Sequence, residues 1–210
     1  CQFFAINGKV YTYKSGLIGG IIEITPEDDS VKKVNFPYSL SCQINEVLGI
    51  KPADDGNIWI MSFGAGKSAI NKFNPATREI IQRQISIKPS VGSSGMGFAV
   101  SGNEFYYADG TTIYRMKFDE NPELGYASGL DAEENLCDLN ALDNNAGLLY
   151  NSMAVHPKTG FVYINTIKSF AQFQTNQIWT FDFNTSKNTP VAKYENYTNF
   201  PAGTYFYPEN

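Results

Sequence analysis

The chain is short of the residues that several large classes of function require. Its 210 residues include three cysteines and one histidine. Cys1, Cys42 and Cys137 are odd in number and irregularly spaced, which supports neither a disulfide framework nor a CxxC metal site. His156 has no second imidazole to share a metal with, and no Ser or Cys nucleophile motif accompanies it, so no catalytic residue is nominated. Lys and Arg number 16 against 21 Asp and Glu, net charge −5, with no basic run, which argues against a nucleic-acid partner. No apolar stretch reaches the ~20 residues a bilayer-spanning helix needs. Sustained helical periodicity is missing, and no secretory signal peptide is visible.

Apolar residues make up 42% and charged residues 18%, a balance that folds. Thirteen Tyr and fifteen Phe suit strands better than helices. One pattern then recurs four times: an apolar strand, a tight polar turn with glycine, an aromatic-rich strand, a loop, and a third strand ending in an Asn/Asp/Pro turn. The turn glycines are Gly8, Gly56, Gly102 and Gly160, spaced 48, 46 and 58 residues apart. Four short strands per unit at that period predict an all-β chain, a β-propeller of four-stranded blades. The units run 1–44, 45–90, 91–150 and 151–199, with a closing strand at 200–208. Residues 123–150 are rich in Asp, Glu, Asn and Leu and show no clear fourth strand. They read as an acidic insertion with one helical turn around 132–139.

Three motifs invite chemistry and lose it on inspection. Gly64-Ala65-Gly66-Lys67-Ser68 looks like the end of a phosphate-binding loop. However, Met61 stands where the first glycine belongs, and a strand follows instead of a helix. A hairpin loop is the better reading. His156 lies directly before a turn proline and reads as a structural turn residue. Asp54-Asp55-Gly56-Asn57 and Glu27-Asp28-Asp29 lack the ligand offsets of a calcium loop. The acidic group Asp131, Glu133, Glu134, Asp138 and Asp143 reads as a solvated face, and no metal or cofactor is expected.

Gly-Lys-Val-Tyr at 8–11, Asp-Gly-Asn-Ile-Trp at 55–59, Ile-Asn-Lys-Phe-Asn-Pro-Ala-Thr at 70–77 and His-Pro-Lys-Thr-Gly at 156–160 resemble blades of YVTN/YncE-like propellers. The style is that of secreted and surface lipoproteins of Bacteroidota, a group that includes cobalamin-capturing propellers. The resemblance covers essentially the whole chain. It implies an extracytoplasmic setting, at the bacterial outer-membrane surface or in the periplasm. Such propellers usually have seven or eight blades, so about four blades read either as a small propeller or, by preference, as the C-terminal part of a larger ring. Cys1 stands where a lipoprotein carries its acylated cysteine, the one route to a membrane. Residues 2–6, however, read at once as a buried strand rather than a polar tether.

In an up-down meander the loops sort onto two ends of each blade. The glycine turns and the turns at Pro26, Pro75 and Pro122 fall on one end and are trimmed. The other end receives longer, aromatic loops, including 194–201 with Tyr197 and Phe200. Exposed aromatics beside Ser, Asn and Gln grip flat or amphipathic ligands. The loop-face candidates are Phe36, Tyr38, Phe63, Met96, Tyr150, Phe170, Phe173 and Tyr197. The expected function is a binding protein without its own catalysis, capturing a small molecule, a corrinoid or a glycan. A protein partner, such as an outer-membrane transporter or a scaffold assembly at the cell surface, is the alternative. A propeller lactonase or lyase is the second alternative.

Overall fold

The computed structural model describes residues 3–14, 20–34, 44, 46–64, 67–87, 97–102, 104–117, 133–201 and 203–206. These form four four-stranded antiparallel sheets, each strand pairing with its neighbour in sequence. Sequential meanders of this kind are the blades of a β-propeller. The chain divides into two units. The first is Cys1–Val91 with Phe118–Asp131, and the second is Gly92–Lys117 with Ala132–Asn210.

The first unit holds two blades. Blade 1 is β1 (Phe4–Ile6), β2 (Lys9–Lys14), β3 (Gly20–Thr25) and β4 (Ser30–Val34). Asn7 and Gly8 both take positive φ, 49° and 77°, and join Ile6 to Lys9. That is the two-residue turn whose twist matches its flanking strands. Blade 2 is β5 (Glu46–Pro52), β6 (Ile58–Gly64), β7 (Lys67–Asn74) and β8 (Glu79–Ile87). Ile58 to Ser62 on β6 are all buried, so the strand is covered on both faces. This explains its unbroken apolar run where a half-exposed strand would alternate. Ile50, Ile58, Ile60 and Phe73 pack with Ile6, Tyr11, Ile21 and Val34 of blade 1 into one core. Gly64 pairs with Lys67, so β6 and β7 form a hairpin, as read from the sequence.

The second unit also holds two blades. Blade 3 is β9 (Phe98–Ser101), β10 (Glu104–Asp109), β11 (Thr112–Lys117) and β12 (Glu133–Asp138). A four-residue helix α1 (Leu139–Leu142) follows, capped by the Asp138 side chain, which accepts from Asn140 N at 3.0 Å. Blade 4 is β13 (Leu148–Val155), β14 (Val162–Ile167), β15 (Asn176–Phe181) and β16 (Ala192–Glu195). Their shared core gathers Ile113, Leu136, Leu139, Leu149, Met153, Ile164, Trp179 and Phe181.

Blade 3 departs from the sequence reading. Residues expected as an acidic insertion contain its fourth strand, and the helical turn comes after that strand. Glu133, Glu134 and Asp143 are partly buried, and each meets a partner. The Tyr107 hydroxyl donates to Glu133, and Arg115 donates to Glu134 through Nε at 2.9 Å and Nη2 at 2.7 Å. Asp143 accepts Lys193 at 2.7 Å. The expected solvated face is therefore a set of pairs for these residues. Likewise, the stretch expected as a closing strand carries no strand over its described residues, 200, 201 and 203–206.

Candidate functional site: an aromatic platform on blade 4

Two segments meet at one end of blade 4: the loop from Lys168 to Thr175, which joins β14 to β15, and the chain after β16. Three hydrogen bonds fold the loop: Lys168 N to Thr175 O, Gln172 N to Ser169 O, and Thr175 N to Gln172 O, at 2.9–3.2 Å. The chain leaves β16 through Asn196, at φ 49°.

Asn176, the first residue of β15, ties the two segments together. It is fully buried. Its Nδ2 lies 3.1 Å from the carbonyls of Phe173 and Gln174 and 2.6 Å from that of Thr198. Its backbone accepts from Asn196 N at 2.7 Å and donates to Asn196 Oδ1 at 3.3 Å. One amide thus satisfies carbonyls from both segments, which explains why neither swings free. Its own Oδ1 is buried and finds no partner among the described residues.

The clamp brings aromatic rings together. Phe200 is the hub. Tyr150 meets it at 4.9 Å between ring centroids and Phe173 at 5.2 Å, with interplanar angles of 80° and 67°. Phe170 adds to Tyr150 at 6.0 Å and 79°. Edge-to-face pairs of this kind each contribute about 0.5–1.5 kcal/mol beyond area burial. The cluster nevertheless stays open to solvent, with Phe170 59% and Phe200 47% exposed. A bulge in β13 lies between Leu149 and Met153 and includes Tyr150. Bulges re-aim side chains in this way beside functional sites.

Tyr197 anchors the segment that carries Phe200. Its hydroxyl donates to Asn165 Oδ1 at 2.8 Å, and Asn165 Nδ2 donates to Thr204 Oγ1 at 3.2 Å. Burial pushes the Tyr197 phenol above its usual range. Further along, Phe206 packs on His156 at 4.7 Å and Tyr163 at 5.1 Å. His156 Nδ1 accepts from the backbone N–H groups of Lys158 and Thr159, at 3.2 and 3.3 Å. It is the turn residue that its position before Pro157 implied.

The structure therefore brings Tyr150 and Phe173 onto Phe200 and Phe170 onto Tyr150, with Tyr197 holding the segment of Phe200. Phe63 stands in the first unit, half-buried on β6, opposite Glu46 and Ser68. Phe36, Tyr38 and Met96 lie outside the described residues. Phe200 was read both in the aromatic loop 194–201 and in the closing strand, and was not among the named candidates. The available signal was its place in the aromatic stretch 194–201.

A second polar centre, in the first unit, was not anticipated. Glu23 on β3 has only 2% of its side chain exposed. It accepts from Arg78 Nη2 at 2.9 Å, Lys9 Nζ at 2.9 Å and the Tyr11 hydroxyl at 3.0 Å. Arg78, then Lys9 and Tyr11, overcome the burial penalty and hold its carboxyl at about 2. Burial and the adjacent carboxylate push the Tyr11 phenol up to about 12. Arg78 reaches across from the β7–β8 turn with a left-handed backbone, φ 66°. Every partner is matched, so this centre reads as a clasp between blades 1 and 2. Among the described residues no group of three His, Cys, Asp or Glu forms a metal-sized cluster.

Comparison with solved structures confirms the β-propeller fold. The chain superposes on a luciferin-regenerating enzyme with a TM-score of 0.59 at 13% identity, covering 96% of this chain and 64% of that one. A regucalcin from Agrobacterium tumefaciens, described as a calcium-binding protein, gives 0.57 at 13%, covering 96% and 61%. Kuenenia stuttgartiensis hydrazine synthase gives 0.57 at 13%, covering 89% and 59%. The chain thus spans less than two thirds of each of these proteins. The expectation of a chain without catalysis is overturned by this finding: it rested on a single histidine and the lack of a clustered ligand or nucleophile motif, and the same fold is found in enzymes. No curated protein matches the chain. A family model does match, over residues 3–207, and the chain belongs to that family, described as a domain of unknown function, DUF5074.

Proposed function

We propose that the chain binds an amphipathic small molecule on the aromatic platform of blade 4, a corrinoid foremost and a glycan second. The observation that carries this reading is the chain of ring contacts in which Tyr150 and Phe173 meet Phe200 and Phe170 meets Tyr150, with two of the four rings about half exposed. A cluster this apolar costs free energy in water, and a bound ligand would cover it. Tyr197 is part of the proposed surface, whereas Phe63, in the first unit, and Phe36, Tyr38 and Met96 stand as separate candidates from the sequence. An extracytoplasmic setting, with an outer-membrane transporter as a partner, belongs to the same proposal and rests on the resemblance of the repeats.

A thermal-shift titration with cyanocobalamin and a glycan panel tests it, with product analysis of each mixture to read turnover. A ligand of the folded state at a hundredfold excess over Kd adds about 2.7 kcal/mol of stability. A saturable shift that disappears in Phe170→Ala supports the platform. A cooperative melt that no compound moves argues for a protein partner instead.

A further inference from the structure

We propose that the ligand of this platform is uncharged, a ring with an apolar face and an edge of amide or hydroxyl groups. The inference rests on the platform reading above. It comes from what surrounds the rings. Residues 148–153, 169–176 and 196–206 contain no Asp, Glu, Lys, Arg or His, in a chain that is 18% charged. The nearest charges in sequence are Lys168 and Glu195, at the bases of the two segments. Glu195 is already paired with Lys193 at 2.7 Å.

The same segments are rich in amides. Asn176 and the Asn196 carbonyl oxygen are committed to the clamp. Gln172, Gln174 and Asn199 are exposed beside Phe170, Phe173 and Phe200. An amide side chain both donates and accepts, so it matches a neutral edge of carboxamides or hydroxyls equally. An anion brought onto the rings would lose hydration, and the three segments themselves carry no cation to offset the loss, Lys168 standing only at the base of the first loop. Edge-to-face geometry adds a shape limit. Adjacent rings meet at 67–80°, so the platform offers faceted single-ring faces instead of one extended plane. Puckered rings with C–H faces suit such facets better than broad flat anions.

Isothermal titration of the whole chain decides it, with cyanocobalamin, maltohexaose, cellohexaose and the anionic hexagalacturonate as probes, at low and high NaCl. The expected result is binding of a neutral probe, with a Kd that moves less than about twofold with salt. It should weaken about tenfold or more in Phe200→Ala and in Phe170→Ala. Phe170 is exposed enough that its removal leaves folding intact. Cyanocobalamin against the two sugars separates a carboxamide edge from a hydroxyl one. Binding of hexagalacturonate alone, or a Kd that weakens more than about tenfold with salt, overturns the inference. If such binding still depends on Phe200, the platform survives. No binding by any probe, or binding indifferent to both Phe variants, overturns the platform as well.

Discussion

Asn176→Asp should detach the platform without unfolding the protein. The substitution is nearly isosteric, but it replaces the donor Nδ2 with an oxygen facing the carbonyls of Phe173, Gln174 and Thr198. At neutral pH it also places a carboxylate where the side chain is fully buried. Keeping that charge buried and unpaired costs about 3–5 kcal/mol. The chain has a cheaper route: the 168–175 and 196–200 segments can open to water. Opening gives up the edge-to-face contacts of Phe200 with Tyr150 and Phe173, each worth about 0.5–1.5 kcal/mol. The local route wins. Hydrogen exchange read by mass spectrometry should show lost protection in both segments together, with the cores of the two units unchanged. Acid should partly reverse the effect, because burial raises a carboxyl pKa and the protonated form regains one donor. Ligand binding should fall with protection. The same substitution in a Phe200→Ala background should add little, since Asn176 acts through the hub. Unchanged protection at both segments would refute the clamp. Protection lost across the whole second unit would refute the claim that opening is local.

Glu23→Gln tests the clasp between blades 1 and 2. A carboxyl held at about 2, against an ordinary 4.5, contributes stability that is complete above the ordinary value and lost as pH falls toward the folded one. With Lys9 and Arg78 half exposed, solvent screening leaves about 2 kcal/mol. The stability difference between native chain and variant should therefore be flat above about pH 5 and close between about pH 4 and pH 2 in urea melts; a pH-independent difference would count against it. Gly147→Ala should destabilise blade 4 and disturb the platform loop, because a Cβ there would clash with the Lys168 carbonyl oxygen. A variant that melts and binds like the native chain would sink that prediction. The Cys137 thiol, pushed up to about 12 chiefly by burial, should resist Ellman's reagent until the protein is denatured; fast labelling of native protein at this residue would show that β12 opens.

The fold was legible in the sequence where the backbone demanded particular residues. Gly8, Gly56, Gly102 and Gly160 all take positive φ, a conformation that costs other residues free energy, so their period reports the blades directly. Local chemistry also sorted the false motifs, since His156 caps its turn and a strand, β7, follows Gly64 where a phosphate-binding loop needs a helix. What stayed hidden was pairing at a distance. Glu133 and Glu134 look like a solvated run until Tyr107 and Arg115 are placed opposite them on β10 and β11. Glu23 gains its meaning from Arg78, 55 residues away. Phe200 becomes a hub only because Asn176 holds the Thr198 carbonyl from 22 residues upstream. In each case the decisive group is polar and at least partly buried, and its partner lies on another strand or loop. Hydrophobic periodicity cannot register such a group, since one buried amide changes no apolar pattern. Yet the desolvation cost of leaving it unpaired, about 1–3 kcal/mol, is large enough to choose which loops meet. In a propeller the blades follow from the turns and the apolar strands, whereas the surface that meets a ligand follows from a few buried polar side chains. Asn176 is that residue for blade 4: remove its donor and the aromatic residues are all still present, but they no longer form a platform.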